Sequence, residues 1–302
     1  MKQNQNGSFH VLIAVPILMI IIGVVGVYVF KKQSNRPDSN KTTATQQITK
    51  TSPTPEPTPI PTPSEPDSAD TLGSPTKVPS ADGKTYFVYG APAGQNNKSI
   101  KRIIVSLPGH GTTADDGYKA WKQHIENGQY AVAEFNWWRG TGEKTTDYYE
   151  PAAVVAQARA FLQQQGYTAK DIVILHGFSR GSANTYAVIA QDRLIAGAVF
   201  DAVISNAGKY QSGFPLASPE LTDQKMTEVF KNMPWVLACG GLDENPNRDG
   251  CPGMEETKTF LTAHQAQVLG TVTDPNEGHG AFHMSSLGLP KQALDLIEAA
   301  LR

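Results

Sequence analysis

A chain of 302 residues has room for one large domain or two small ones, and 26 Lys and Arg against 28 Asp and Glu leave it close to neutral. With no basic block beyond Lys31, Lys32, Arg36 and Lys41, that balance argues against nucleic acid as a partner. The residue types are spread unevenly, and the regional boundaries come from that unevenness.

Met1 to His10 form a short polar head. From Val11 to Phe30 no side chain is charged. At about 1.5 Å per residue a helix of that length covers the roughly 30 Å hydrocarbon core of a bilayer, so a transmembrane anchor is expected. A cleaved signal peptide would have a shorter apolar region with small residues after it, whereas this run ends in Tyr28-Val29-Phe30-Lys31-Lys32. Residues 31–79 are rich in Thr, Ser, Pro, Gln and Asp and are expected to be a disordered linker, because they cannot bury enough surface to offset their ordering entropy. Within them Thr51 to Pro66 reads as a polyproline II spacer rising about 3.1 Å per residue. Counted literally, the cations after the span would keep the C-terminal part of the chain in the cytoplasm. The proline-rich stalk favours the opposite: a single-pass protein of the cell membrane, with its folded domain outside the cytoplasm.

Residues 80–302 are the expected folded domain, a normal size for one α/β unit. Strands are expected at Thr85–Tyr89, Arg102–Leu107, Tyr130–Phe135, Asp171–His176, Gly197–Ile204, Trp235–Cys239 and Val268–Val272. Several are continuously apolar, as parallel strands buried on both faces are. Helices fall between them. Pro151 suits a first turn, Val154, Val155, Ala158, Phe161 and Leu162 form an apolar stripe, and Leu294, Ile297 and Leu301 repeat the pattern. Such alternation implies a mainly parallel sheet with helices on both faces and ligands at the carboxyl ends of the strands.

Gly177-Phe178-Ser179-Arg180-Gly181 lies between the apolar run Ile172 to Leu175 and a helix-compatible segment. A G-x-S-x-G turn between strand and helix forces its serine into a strained conformation and exposes it above the sheet. A reactive serine also needs a base, a group that orients the base, and donors for an oxyanion. Pro108-Gly109-His110-Gly111-Thr112 comes directly after one strand, so the N–H of Thr112 or Gly111 can serve as one donor and that of Arg180 as the other. Asp243 lies just beyond the strand ending at Cys239 and is the expected acid, with Glu244 and Asp249 as competitors. Of the seven histidines only His279 and His283 lie beyond the last strand. His279 is preferred because Gly278 and Gly280 leave its ring room, and His283 is the runner-up. His110, His124, His176 and His264 show no metal-ligand spacing, and neither a metal nor a cofactor is implied. Cys239 and Cys251 can close a small loop, as a disulfide worth about 3 kcal/mol in an oxidising compartment or as two free thiols.

On these motifs the domain resembles the α/β-hydrolase superfamily, with Ser179, Asp243 and His279 in the family order. The Pro108–Gly111 loop and the Gly278-His279-Gly280 turn are similar to secreted serine esterases of the polyhydroxybutyrate depolymerase and feruloyl esterase group and to dienelactone hydrolase-like enzymes. The dienelactone hydrolase branch proper uses a cysteine nucleophile, which argues against carrying its substrate across. The resemblance implies a serine hydrolase acting on a small-molecule or polymeric carboxylic ester. A serine peptidase or acyltransferase on the same fold, or a surface binding module without chemistry, are the alternatives. Trp137 and Trp138, near Tyr148 and Tyr149, offer rings for a sugar or phenolic acyl group, or else pack into the domain. Phe178 is a further candidate for substrate contact, and Tyr210, Phe214 and Pro215 can shape an acyl pocket or simply pack.

Overall fold

The computed structural model describes residues 74–92, 100–125, 129–140, 142, 144, 146–195, 197–211 and 223–302. The chain divides into a unit Met1–Pro63 and a unit Ser64–Arg302. The described residues belong to the second; the expected anchor and nearly all of the expected linker lie outside them. No helix among the described residues is long and apolar enough to cross a membrane.

Eight strands form one sheet: β1 (Thr76–Pro79), β2 (Tyr86–Gly90), β3 (Arg102–Leu107), β4 (Ala131–Phe135), β5 (Ile172–Phe178), β6 (Ala202–Asn206), β7 (Pro234–Gly240) and β8 (Gln267–Asp274). Their order across it is β1-β2-β4-β3-β5-β6-β7-β8. The β1/β2 and β2/β4 pairs are antiparallel, and every pair from β4 to β8 is parallel. The described helices are α1 (Ala114–Lys122), α2 (Pro151–Gln165), α3 (Arg180–Leu194), α4 (Asp223–Phe230), α5 (Cys251–Ala263), α6 (Ala281–Met284) and α7 (Leu289–Ala300).

Alternation along the buried strands divides the core in two. Ile103, Val105 and Leu107 face one layer with Val154, Phe161, Ile189 and Met254, while Ile104 faces the other with Trp121, Phe282, Leu294 and Ile297. Each such buried aliphatic or aromatic side chain contributes about 1.5–3 kcal/mol. Side chains of α2, α3, α4 and α5 thus cover one face, and those of α1, α6 and α7 the other.

Most strand limits shift by one or two residues from expectation, and three differences stand out. β1 occupies residues assigned to the linker: Thr-Lys-Val-Pro is polar on both faces, and an edge position tolerates both that polarity and a proline. β6 starts at Ala202 rather than Gly197, because the Asp192 carboxylate accepts the N–H groups of Val199 at 2.9 and 3.0 Å and of Phe200 at 3.1 Å, holding them outside the ladder. β5 runs on through Gly177 to Phe178, carrying the serine turn to the rim of the sheet.

The chain leaves β3 for β4 on one side, then returns past β3 to pair β5 on the other. Such a reversal opens a crevice at the carboxyl ends of the strands, where the loop after β3 and the turn after β5 meet.

Candidate active site

Ser179 stands between β5 and α3 with φ 54° and ψ −115°, a left-handed φ that an L-residue adopts only under constraint. Its N–H donates to the Asn206 carbonyl at 2.9 Å, and its carbonyl accepts from Ala183 at 3.0 Å. The flanking glycines are there for clearance: a Cβ at Gly177 would strike the backbone of Gly181, and one at Gly181 would strike the Leu107 carbonyl. Gly208, which sequence reasoning missed, meets the same turn from the β6 side, where a Cβ would strike the Ser179 carbonyl. Ser182 on α3 bonds the Ser205 hydroxyl at 2.7 Å and the Gly208 carbonyl at 2.9 Å, fastening the helix to β6.

His279, in the loop after β8, bonds Asp243 Oδ2 through Nδ1 at 2.7 Å. The second oxygen of Asp243 accepts the Asn245 N–H at 2.8 Å. The Asp243 side chain is 1% exposed and the His279 side chain 36%, so the acid is enclosed and the imidazole reaches the crevice. The Phe178 ring, next to the serine in sequence, packs against the His279 ring at 4.9 Å. Glu244 is exposed. Asp249 is buried beside the pair and is bonded by the Arg248 guanidinium, with Nε at 2.8 Å. Asp243, Asp249 and His279 each bring one ligand-type atom within 4.8 Å of the others. Two of the three, His279 and Asp243, are joined by the hydrogen bond already described, and Asp249 is paired with Arg248. Cys239 and Cys251 are joined as a disulfide, across a sequence separation of 12, around the loop that carries both carboxylates.

His283 lies elsewhere. Its ring packs against Trp121 at 5.1 Å and Phe282 at 4.9 Å, its carbonyl is 2.6 Å from His124 Nε2, and burial, with a smaller effect from His124, pushes its pKa down to about 3. His176 is buried, also held well below the usual histidine range by desolvation, and bonded through Nδ1 to the Ser106 hydroxyl at 2.7 Å.

The loop after β3 is a tight turn with Gly111 at φ 79°. Both the N–H and the hydroxyl of Thr112 donate to the Gly109 carbonyl, at 3.2 and 2.8 Å. The Thr112 amide is therefore turned into the loop and away from the role of an oxyanion donor. A Cβ at Gly109 would lie 3.0 Å from the Ser179 Cβ, so the loop closes directly over the serine.

Of the two readings of Trp137 and Trp138, a stacking platform and packing into the domain, the structure has the second. Trp137 is fully buried, with its indole N–H donating to the Pro108 carbonyl at 2.9 Å, and Trp138 is 6% exposed against Trp137, Tyr148 and His110. Large apolar rings after a strand satisfy themselves by packing when neighbouring rings are at hand. Tyr210 stacks on Phe260 at 3.8 Å, and Phe214 and Pro215 lie outside the described residues. Phe178 alone of the three candidates lines a cavity beside the serine, one of about 240 Å³ shared with Pro108, Thr112, Gly280, His176 and Glu134. Glu134 and His176 were not singled out for this region by sequence reasoning.

No protein-family model matches the chain, and no curated protein matches it. Solved structures do. A putative dienelactone hydrolase from Klebsiella pneumoniae subsp. pneumoniae is 14% identical with a TM-score of 0.55, over 76% of this chain and 98% of that one. The HSL homologue EstE7 from a metagenome library is 13% identical with a TM-score of 0.56, over 78% and 88%. The esterase Est22 is 15% identical with a TM-score of 0.53, over 76% and 81%. Together with the strand order, these likenesses establish an α/β-hydrolase fold.

Proposed function

We propose that the chain is a serine hydrolase of carboxylic esters, anchored in the cell membrane by Val11 to Phe30 with its catalytic domain outside the cytoplasm. The observation that carries the chemistry is the His279–Asp243 hydrogen bond, 2.7 Å long, at the rim where Ser179 holds a left-handed φ. Neighbours of the same fold include proteins described as esterases, in keeping with this reading.

In the reaction Ser179 Oγ attacks the ester carbonyl while His279 Nε2 takes its proton. Asp243 holds the proton on Nδ1 and stabilises the imidazolium that forms. The backbone N–H of Arg180, at the positive end of α3, and that of Gly111 hold the oxyanion. His279 then protonates the departing alcohol. In the second half it activates water, which releases the acid and restores the serine.

Turnover of a panel of p-nitrophenyl, acetyl-sugar and feruloyl esters beside matched peptides, with Ser179→Ala as control, tests this. Ester turnover lost in the variant supports it. Amide turnover exceeding ester turnover, transfer to an alcohol or amine in place of water, or no fluorophosphonate labelling of Ser179 would replace it with the peptidase, acyltransferase or binding-module reading respectively.

The placement outside the cytoplasm is supported by the Cys239–Cys251 disulfide, which persists in oxidising compartments, and by the proline-rich stalk. Protease added to intact cells should release the folded domain. A domain protected until the cells are lysed would reverse the orientation.

A further inference from the structure

The cavity beside the serine turn bears on which ester the site takes. We infer that it is a subsite for a hydrocarbon chain of the substrate, and that Ala120 on α1 and Met284 on α6 set how much of that chain it accepts. The inference rests on the ester-hydrolase reading and specifies its substrate class.

The cavity has a volume of about 240 Å³. That is roughly eight times the share of a water molecule in the liquid, and a methylene needs about as much room, so a chain of about eight carbons fills it. Phe178 and Gly280, which line it, are the chain neighbours of Ser179 and His279. Pro108 and Thr112 bring it to both ends of the loop that closes over the serine. The Phe178 ring borders the cavity and also packs on the His279 ring at 4.9 Å, so cavity and imidazole share one ring as a wall.

What those walls offer is carbon. Pro108, Ala120, Phe178 and Met284 bring no hydrogen-bonding side-chain group beyond a thioether. The polar residues of the lining spend their polar atoms elsewhere. The Ser106 hydroxyl bonds His176 Nδ1 at 2.7 Å, the Thr112 hydroxyl donates to the Gly109 carbonyl at 2.8 Å, and the Asp116 carboxylate accepts the Thr113 N–H at 3.0 Å. Glu134 is 1% exposed, and the His283 Nδ1 is enclosed. Burial pushes Glu134 up to about 8, so near neutral pH this wall carries no charge. No Lys or Arg lines the cavity. A hydroxyl or a charge carried in by a substrate would leave water without finding a partner, whereas a methylene gives up no hydrogen bond.

The same chemistry continues at the rim. Met284, which lines the cavity, is 74% exposed, and Leu242, next to Asp243, is 65% exposed. The Met284 N–H donates to the Gly280 carbonyl at 3.1 Å and the Leu242 N–H to the Glu277 carbonyl at 2.9 Å, so the two residues flank the His279 turn. Apolar groups left in water around one site mark a surface that an apolar ligand covers. On α1, Gly117 and Ala120 are three residues apart, share one helix face and both border the cavity. Neither fills it with more than a methyl group.

The chain can belong to the acyl or the alcohol half of the ester, and two series separate these sources. Purified full-length protein is assayed for kcat/KM on p-nitrophenyl butyrate, hexanoate, octanoate and decanoate, and on butyl, hexyl, octyl and decyl acetate, each below the concentration at which it aggregates. In one series kcat/KM should rise by about fourfold per buried methylene, at least about tenfold in all from four carbons to eight, and no further at ten. That series identifies the half that enters. In the same half a terminal hydroxyl should cost about tenfold, read as p-nitrophenyl 6-hydroxyhexanoate against heptanoate or 6-hydroxyhexyl acetate against heptyl acetate. Ala120→Leu, which occupies part of the cavity, should bring the eight-to-four-carbon ratio close to one. Met284→Glu, which sets a charge at the mouth, should lower that ratio by about threefold or more. A wild-type ratio near one in both series overturns the subsite while leaving the ester-hydrolase reading intact. So does a hydroxyl ester that matches its isostere, a rise that continues through ten carbons, or a ratio unchanged in Ala120→Leu. If Ala120→Leu does not fold, Met284→Glu, at an exposed position, decides in its place. No turnover of any of these esters overturns the underlying reading instead.

Discussion

The Trp137 indole N–H donates to the Pro108 carbonyl at 2.9 Å, with the indole fully buried. The first residue of the loop over Ser179 is thereby tied to the aromatic cluster after β4. Trp137→Phe keeps the ring and deletes the donor, leaving a buried carbonyl without a partner at a cost of about 1–3 kcal/mol. Thermal denaturation should register that loss. Because the loop carries the Gly111 N–H, kcat should fall by more than KM rises.

Ser179→Ala and His279→Ala should each abolish ester turnover, and Asp243→Asn should reduce kcat by roughly 10⁴, as loss of the correct tautomer does in such triads. Asp249→Asn and His283→Gln should each leave kcat for a plain short-chain ester within about tenfold, since neither residue bonds His279. Steady-state kinetics on the five variants checks this; a dead Asp249→Asn beside an active Asp243→Asn would reassign the acid.

The disulfide closes the loop that bears Asp243. Its reduction, or Cys239→Ser with Cys251→Ser, should cost about 3 kcal/mol in the chain-entropy model, a fall in Tm on the order of 10 °C for a domain of this size. A melting curve in the presence and absence of reductant measures it. Activity at temperatures well below Tm should also drop, as the carboxylate loses its fixed position.

Glu134 gives a pH signature of its own. Its pKa is pushed up to about 8 in the folded state from an ordinary value of 4.5. The native state therefore holds a proton that the unfolded chain releases, and stability falls as pH rises from about 4.5 to about 8. Glu134→Gln should remove that slope. At pH 8 the variant should be more stable than wild type, by on the order of a few kcal/mol, and at pH 4 nearly equal to it. Denaturant titrations at the two pH values test the sign, and a wild type that gains stability from pH 5 to 8 relative to the variant contradicts it.

Gly208→Ala should be far more damaging than its size suggests. The added methyl would meet the Ser179 carbonyl and the Ser182 Cβ at 2.8 Å. Overpacking of this kind costs about 1–3 kcal/mol, and relief would come through the serine turn. The expected result is a folded protein of lower Tm with little turnover.

The central elements were legible because their signals are local. Arg102–Leu107 is a strand at the predicted limits, and the glycine spacing around Ser179 places the turn where the structure has it. Asp243 and His279 were reachable by position after β7 and β8, since a parallel sheet gathers such loops along one edge. What escaped depends on packing partners distant in sequence. Thr76–Pro79 has no apolar face to announce a strand. Trp137 and Trp138 read more readily as core than as a platform, and only the neighbouring rings decide it. Glu134, within Ala-Val-Ala-Glu-Phe, looks like the solvent-facing member of a strand, and only the cover supplied by α1 makes it an interior acid.

In the proposed mechanism the reacting groups sit on segments that join the sheet at different stages of the chain: the serine after β5, the carboxylate after β7, the imidazole after β8. On that mechanism a chain cut short before β8 would keep its serine turn and have no base to deprotonate it, so acyl transfer would require the last strand in place.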